Sequence, residues 1–205
     1  MSPKEEFDIK KYTIIRNAIP KEVAHFCYTY LLLKRNAVKY LREKNLINPY
    51  LIEHGTFGDG QVNLPVYCCH GDMSMETLLF LLFPKMQKVL ERDLVMNYSY
   101  VRLYEKGSIL PKHKDRPACA ISTTLNLGGD VWPIYIQRDG EREDEIILNP
   151  GDLLMYQGCD CVHWRNEFQG KLCGQVFLHY DEANEESIKN QFDKRPMIGL
   201  PKYEI

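Results

Sequence analysis

Asn97-Tyr98-Ser99-Tyr100-Val101-Arg102-Leu103-Tyr104 alternates without a break. On an extended chain Tyr98, Tyr100, Arg102 and Tyr104 fall on one face, and Ser99, Val101 and Leu103 on the other. The texture persists downstream, where short runs recur over residues 119–127, 133–137, 145–148, 152–156, 161–166 and 172–180 with turn signals between them. Asn149-Pro150-Gly151-Asp152 carries Pro at i+1 and Gly at i+2, as a type II turn requires, and Asp139-Gly140 marks a hairpin. Short strands at this spacing predict a sandwich or barrel.

Upstream, the period changes to that of helices. Met75, Leu78, Leu79, Leu82, Met86, Val89 and Leu90 form one stripe, with Pro84 inside it and expected to kink or split the helix. A second stripe, Val23, Phe26, Cys27, Tyr30, Ala37, Tyr40 and Leu41, predicts a helix from Lys21 to about Glu43, with Pro20 at its first position. Both stripes read as core faces. Residues 12–19 suit an opening strand and 66–69 a short one. Residues 45–64 read as loop, punctuated by Asn48-Pro49 and by Gly55 to Gly60. The tail after Asp181 reads as helix up to Phe192, then breaks at Lys194-Arg195-Pro196. The expectation is one α+β, mainly β domain over residues 1–205: a helical support region 1–95, a β core 96–182 and a C-terminal tail 183–205.

Composition bounds the function classes. The chain has 205 residues, 44% hydrophobic and 26% charged, which excludes disorder and collagen. With 26 basic against 28 acidic residues, the net charge of -2 speaks against a generic nucleic-acid binder, while leaving room for a local basic groove. No apolar run is long enough for a transmembrane helix, and Met1-Ser2-Pro3-Lys4-Glu5-Glu6 lacks a signal-peptide core. Seven cysteines in no framework spacing read as reduced thiols of a cytoplasmic protein.

The chemistry-bearing residues begin with His113-Lys114-Asp115. Residues i and i+2 of an extended segment point the same way, so imidazole and carboxylate converge. Taken alone, this pair reads first as a surface pair beside Lys112 and Lys114. His163, on a predicted strand, adds a second imidazole, although a lone strand histidine is more often a core residue. Two neutral nitrogens and one carboxylate make up the facial triad of non-haem iron(II) oxygenases, which leaves open positions on the metal. A jelly roll or cupin-like sandwich is a suitable host. Arg165 shares the His163 face, and Lys171 opens the last strand after Gly170. Either supplies a cation for a buried co-substrate carboxylate, which cannot stand unpaired. Arg116, directly after Asp115, is a candidate for orienting substrate or supporting Asp115, or else a solvent-facing arginine. Cys159-Asp160-Cys161-Val162-His163 has a zinc-like spacing, with both cysteines expected on the histidine's face. It lacks the paired knuckles and fourth ligand of a zinc site.

Together, Tyr104-Glu105-Lys106-Gly107 leading to His113-Lys114-Asp115, then Pro150-Gly151-Asp152-Leu153-Leu154-Met155-Tyr156, His163 and the closing Gln175-Val176-Phe177-Leu178-His179-Tyr180, resemble the 2-oxoglutarate and Fe(II)-dependent oxygenases. Within them the pattern is most similar to the prolyl 4-hydroxylase type, over about residues 97–182. The resemblance implies a double-stranded β-helix core with N-terminal supporting helices, and Fe(II) held by His113, Asp115 and His163. It further implies 2-oxoglutarate and O2 as co-substrates, with ascorbate as an optional addition. Tyr104 matches a tyrosine that hydrogen-bonds the co-substrate, and Thr124 occupies an inward position where relatives often carry tyrosine. Lys171 matches the basic residue of the closing strand. Its short spacing from His163 keeps Arg165 as a competitor, and Gln175 faces the same side. Tyr98, Tyr100, Arg102 and Trp164 are expected near the mouth. The implied reaction hydroxylates a substrate C–H bond, with a prolyl residue of a peptide or protein first and a small molecule as the alternative. Two other readings stay open: a cupin-like metal enzyme without an oxo acid, and a non-catalytic jelly-roll binding module. No membrane partner is expected, and oligomeric state is not legible.

Overall fold

The computed structural model describes residues 1–48 and 50–200; Pro49 of the Asn48-Pro49 turn signal and tail residues 201–205 lie outside them. The described order is α1 (Pro3–Lys10), β1 (Tyr12–Ile15), α2 (Lys21–Glu43), β2 (Thr56–Phe57), β3 (Tyr67–His70), α3 (Met73–Leu90), β4 (Leu94–Glu105) and β5 (Leu110–His113). There follow β6 (Ile121–Gly129), β7 (Ile134–Arg138), β8 (Asp144–Ile146), β9 (Leu153–Gln157), β10 (Cys161–Arg165), β11 (Leu172–Glu182) and α4 (Glu185–Lys189). A seven-stranded sheet in the order β1-β9-β6-β11-β4-β3-β2 faces a four-stranded sheet in the order β5-β10-β7-β8. The pairings are antiparallel, and the architecture is the expected double-stranded β-helix with helices on one side.

The alternating stretch that decides the fold is the middle of β4. Val101 and Leu103 join the main core beneath the helices, while Tyr98, Tyr100 and Arg102 line a cavity between the sheets. α3 buries Met75, Leu78, Leu79, Leu82, Met86 and Leu90 as its stripe predicts. Asp72 caps it, accepting from the amides of Ser74 and Met75 at 3.0 and 3.2 Å. The expected break at Pro84 does not occur; the helix runs unbroken to Leu90. Proline deprives the Phe80 carbonyl of its donor, and since Phe80 and Pro84 are both exposed, water can serve that carbonyl.

α2 has the predicted bounds but buries a different stripe. Ala24, Cys27, Leu31 and Val38 pack inward, whereas Phe26 and Tyr40 are 69% and 57% exposed. The helix carries two apolar stripes, and shape selects between them. The Tyr28 ring, beside the small Ala24 and Cys27, lies where a Cβ on Gly174 would come within 2.7 Å, so α2 sits close upon β6 and β11.

Three further differences concern the chain ends and turns. α1 was not legible; it is nucleated by a capping box in which Ser2 and Glu5 satisfy each other's backbone amides. β5 is an additional strand. The tail helix shrinks to α4, because β11 continues to Glu182 and Asn184 then caps a new start. The predicted type II turn is present, with Gly151 at φ +91° and no room for a Cβ beneath the Ile19 carbonyl, 2.6 Å away. No described helix is long and apolar enough to cross a membrane.

Candidate active site

β5 and β10 run antiparallel with His113 directly opposite His163. Two residues later, the Asp115 amide donates to the Gly158 carbonyl at 2.9 Å, which keeps the segment extended and aims the carboxylate at both rings. One ligand atom from each of His113, Asp115 and His163 lies within 4.8 Å of the others, the only such group among the described residues. Cys161 is on the His163 strand face but turns its thiol to the Lys11 carbonyl, and Cys159 lies in the turn before β10. The zinc spacing therefore forms no cluster, and all seven cysteines are free.

The hydrogen bonds around the triad assign its protons. His113 Nδ1 is 2.8 Å from the Pro111 carbonyl and His163 Nδ1 is 3.1 Å from the Cys161 carbonyl. A carbonyl only accepts, so each Nδ1 carries the hydrogen and each Nε2 carries a lone pair. Those Nε2 atoms face Asp115 Oδ1 at 3.7 and 3.5 Å, beyond hydrogen-bond range. The other carboxylate oxygen, Oδ2, accepts from Ser122 Oγ at 2.6 Å, and His179 Nδ1 backs the serine at 3.1 Å. Three acceptors thus converge with no proton among them, the donor set of a divalent metal site. Burial raises the Asp115 carboxyl, but the charge that a protonated His163 ring brings and the Ser122 hydroxyl bond outweigh it and hold it below the ordinary carboxylate range. Burial and the His163 ring pull the His113 imidazole down, favouring the neutral ligand form. Burial takes His179 down to about 4.

Arg165 continues the inner face of β10 and is 1% exposed. It donates from Nη1 to the Trp132 carbonyl and lies 5.1 Å from the Trp132 ring centroid. Its Nε and Nη2 have no partner, and no carboxylate pairs with it among the described residues. Burial pushes this guanidinium below its ordinary range. Tyr104 is fully buried in the same region and accepts from Arg102 Nη1 at 3.2 Å. Thr124 donates to Gln175 Oε1 at 3.2 Å, and Gln175 turns its amide to Cys173 Sγ. Lys171 is exposed, outside the cavity, with only its backbone amide engaged, on Asp130. It lies just before β11, at the sheet's end, too early to turn inward.

The cavity has a volume of about 620 Å³ and contains the triad with Tyr98, Tyr100 and Phe177. Arg102 lies on its wall, donating from Nε to Asp59 at 2.6 Å and from Nη2 to Gln61 at 2.6 Å. Asp59 and Gln61 come from the loop before β3, and sequence reading assigned them no part. Trp164 does not line the cavity. It alternates with His163 and Arg165 onto the outer face of β10, where it stacks on Tyr135 at 5.5 Å beneath Lys112. Arg116 does not reach Asp115 and is not free in solvent. It forms a two-pronged pair with Asp193 at 3.0 and 2.9 Å, over the Tyr98 ring. Ser122, Tyr156, Phe177 and His179 were also missed. Continuing the inward alternation from Thr124 and Gln175 finds Ser122, Phe177 and His179; Asp193 and Asp59 carry no local signal.

No protein-family model and no curated protein matches the sequence. Similarity appears among solved structures. A 2OG-Fe(II) oxygenase family oxidoreductase from Burkholderia pseudomallei superposes with a TM-score of 0.61 at 13% identity, covering 89% of this chain and 92% of that one. A Pseudomonas putida prolyl-4-hydroxylase gives a TM-score of 0.56 at 13% identity, covering 89% and 98%. HygX from Streptomyces hygroscopicus, solved with nickel and 2-oxoglutarate bound, gives 0.59 at 11% identity, covering 88% and 86%. The fold of this chain is therefore the double-stranded β-helix found in solved 2-oxoglutarate and Fe(II) oxygenases.

Proposed function

We propose that the chain is a 2-oxoglutarate and Fe(II)-dependent oxygenase, with His113, Asp115 and His163 as metal ligands and Arg165 as the partner of the co-substrate's far carboxylate. The observation that carries this reading is the Arg165 guanidinium, buried with two unpaired donors on the strand face of His163. A buried cation without a counter-charge is costly, and a bound carboxylate removes that cost. Two residues of extended chain separate Arg165 from His163 by about 6.6 Å, a distance suited to a five-carbon dicarboxylate with its keto acid end at the metal. A cupin-like enzyme without an oxo acid, or a binding module, leaves this arginine without a role.

Bound iron and 2-oxoglutarate supply the oxidising chemistry: with dioxygen, the oxo acid yields succinate and carbon dioxide, and one oxygen atom enters a substrate C–H bond. The chain's own contribution is positional. Ser122 and His179 fix the Asp115 carboxylate, the backbone carbonyls of Pro111 and Cys161 fix the histidine tautomers, and Tyr104, Trp132 and Tyr156 keep the Arg165 end dry. Tyr104, Thr124 and Gln175 complete that end as polar groups. The substrate enters on the side of Tyr98, Tyr100, Arg102 and Phe177. A prolyl residue in a peptide is the first candidate, supported by the prolyl-4-hydroxylase among the structural neighbours; a small molecule is the other. Seven free cysteines suit a reducing, cytoplasmic setting.

Titration calorimetry of 2-oxoglutarate against Mn(II)-loaded protein tests the reading. Tight binding that needs both the metal and Arg165 is expected, as is iron-dependent release of succinate. Equal binding without metal, or to an Arg165→Leu variant, removes the proposal.

A further inference from the structure

We infer that the outer face of α2 is a dimer interface, on which a second copy of this chain lays its own α2 antiparallel. The inference is independent of the proposed activity. The fold leaves one stripe of α2 mostly unused; of it only Tyr30 packs on the main core and donates to Asp72, at 2.7 Å. Val23, Phe26, Tyr30, Leu33, Ala37 and Tyr40 recur at intervals of three and four, the a and d positions of a heptad pattern. The domain core takes Ala24, Cys27, Leu31 and Val38 instead. What remains outside is 39% of Val23, 69% of Phe26, 66% of Leu33 and 57% of Tyr40, on one helix and in one seam. Scattered exposed apolar residues are ordinary, whereas a periodic row of large ones marks a contact surface.

The seam fits a copy of itself. With a two-fold axis between Tyr30 and Leu33, an antiparallel helix sets Val23 against the partner's Tyr40, Phe26 against the partner's Ala37 and Tyr30 against the partner's Leu33. The large Phe26 thus meets a small residue, as interdigitating layers require. Thr29 and Asn36 flank one side of the seam without charge, and Lys34 on the other side is paired with Asp72. At its ends, Glu22 comes within side-chain reach of the partner's Lys44. Glu43 is already paired along the helix with Lys39 at 3.9 Å.

The size is adequate. From Val23 to Tyr40 the seam is about 26 Å long, and its apolar side chains with their polar rim cover roughly 600 Å² per copy. The total of about 1,200 Å² stands at the low end of specific interfaces. α2 packs on the helix side of β6, whose Ser122 supports the triad from the opposite face, so dimerisation leaves the cavity open.

The test is sedimentation of the full chain over a wide concentration range, with Phe26→Lys and Leu33→Lys variants. The native chain is expected to shift from monomer to dimer, and each variant to raise the dissociation constant at least ~30-fold. Melting temperature and Mn(II) binding report that the variants stay folded. Register is read by cross-linking. Under mild oxidation a Phe26→Cys/Ala37→Cys double variant should form a dimer on a non-reducing gel, while Phe26→Cys alone should not. A native chain that stays monomeric at every concentration overturns the inference. So does cross-linking by Phe26→Cys alone, which reports parallel helices, or charge variants that dimerise as the native chain does. Binding of neutral lipid vesicles by a monomer assigns the face to another occupant and overturns it as well.

Discussion

His113 ends β5 directly across from His163 of β10, and the two rings lie with centroids 4.2 Å apart. One register of the smaller sheet therefore sets the spacing of both imidazoles, and Asp115 follows two residues on, held by the Gly158 carbonyl. A His113→Ala or His163→Ala variant should lose at least ~100-fold in Mn(II) or Co(II) affinity while remaining folded. Ser122→Ala, which frees one oxygen of Asp115, should lose ~10- to 100-fold. Co(II) absorption titrations measure both. Unchanged metal affinity in His163→Ala would remove the ligand assignment.

Arg165 separates a binding role from a structural one. Replacing a buried, unpaired cation with an apolar side chain of similar bulk should leave stability unchanged or improved, by about 1–4 kcal/mol. Arg165→Leu should thus melt no lower than the native chain, yet lose ~100-fold or more in 2-oxoglutarate affinity. Arg165→Lys keeps the charge without the fork and should fall between them. A large fall in melting temperature for Arg165→Leu would show that the arginine serves packing.

Asp59 accepts from Arg102 at 2.6 Å and from Tyr100 at 3.0 Å, tying the loop before β3 to the cavity wall. Asp59→Ala leaves a mostly buried guanidinium unpaired and should cost about 3 kcal/mol. Limited proteolysis should show new cleavage within residues 58–64, with metal affinity retained. Protection identical to the native chain would mean that the loop is held by other contacts.

Glu76 of α3 meets Arg195 at 3.1 Å, with both side chains buried, and also accepts from the amides of Ser99 and Gly199 at 2.7 and 2.9 Å. The pair fastens the end of the chain beside Asp193, where Phe192, Asp193 and Lys194 all hold φ near +60°. Arg195→Ala should cost about 3–5 kcal/mol and speed amide exchange across residues 190–200 ahead of the β core. Exchange that changes uniformly would contradict this local role.

Asp152 sets part of the acid sensitivity. Burial raises its carboxyl, and the Asn17 amide, Arg16 guanidinium and Asn149 amide outweigh it and lower it below the ordinary 3.8. The unfolded chain therefore takes up this proton first. The stabilisation is full above that ordinary value and is lost as pH falls through the lower folded one. Asp152→Asn should flatten this part of the acid limb in urea titrations from about pH 5 downward. An unaltered slope would assign the acid limb to other carboxylates.

The sequence by itself determined which residues share a face of each core strand, because a period of two alternates them: Tyr98, Tyr100 and Arg102 on β4, His163 and Arg165 on β10. It also singled out His113, Asp115 and His163, through their combined order and strand context rather than through any one motif, and the turn at Gly151, where backbone geometry excludes a Cβ. Tertiary structure decided the rest. α2 offers two apolar stripes, and only its fit against Gly174 selects the inner one. Trp164 is aromatic and beside a triad residue, but strand alternation within the assembled sheet turns it outward. Arg165 rather than Lys171 reaches the interior, because β11 begins at the sheet's end. Asp59 comes to the cavity from a loop, and Asp193 reaches Arg116 on its wall from the tail, segments with no period of their own. Local periodicity records which face a residue shares with its neighbours along one element; which element packs against which depends on contacts between residues far apart in the chain.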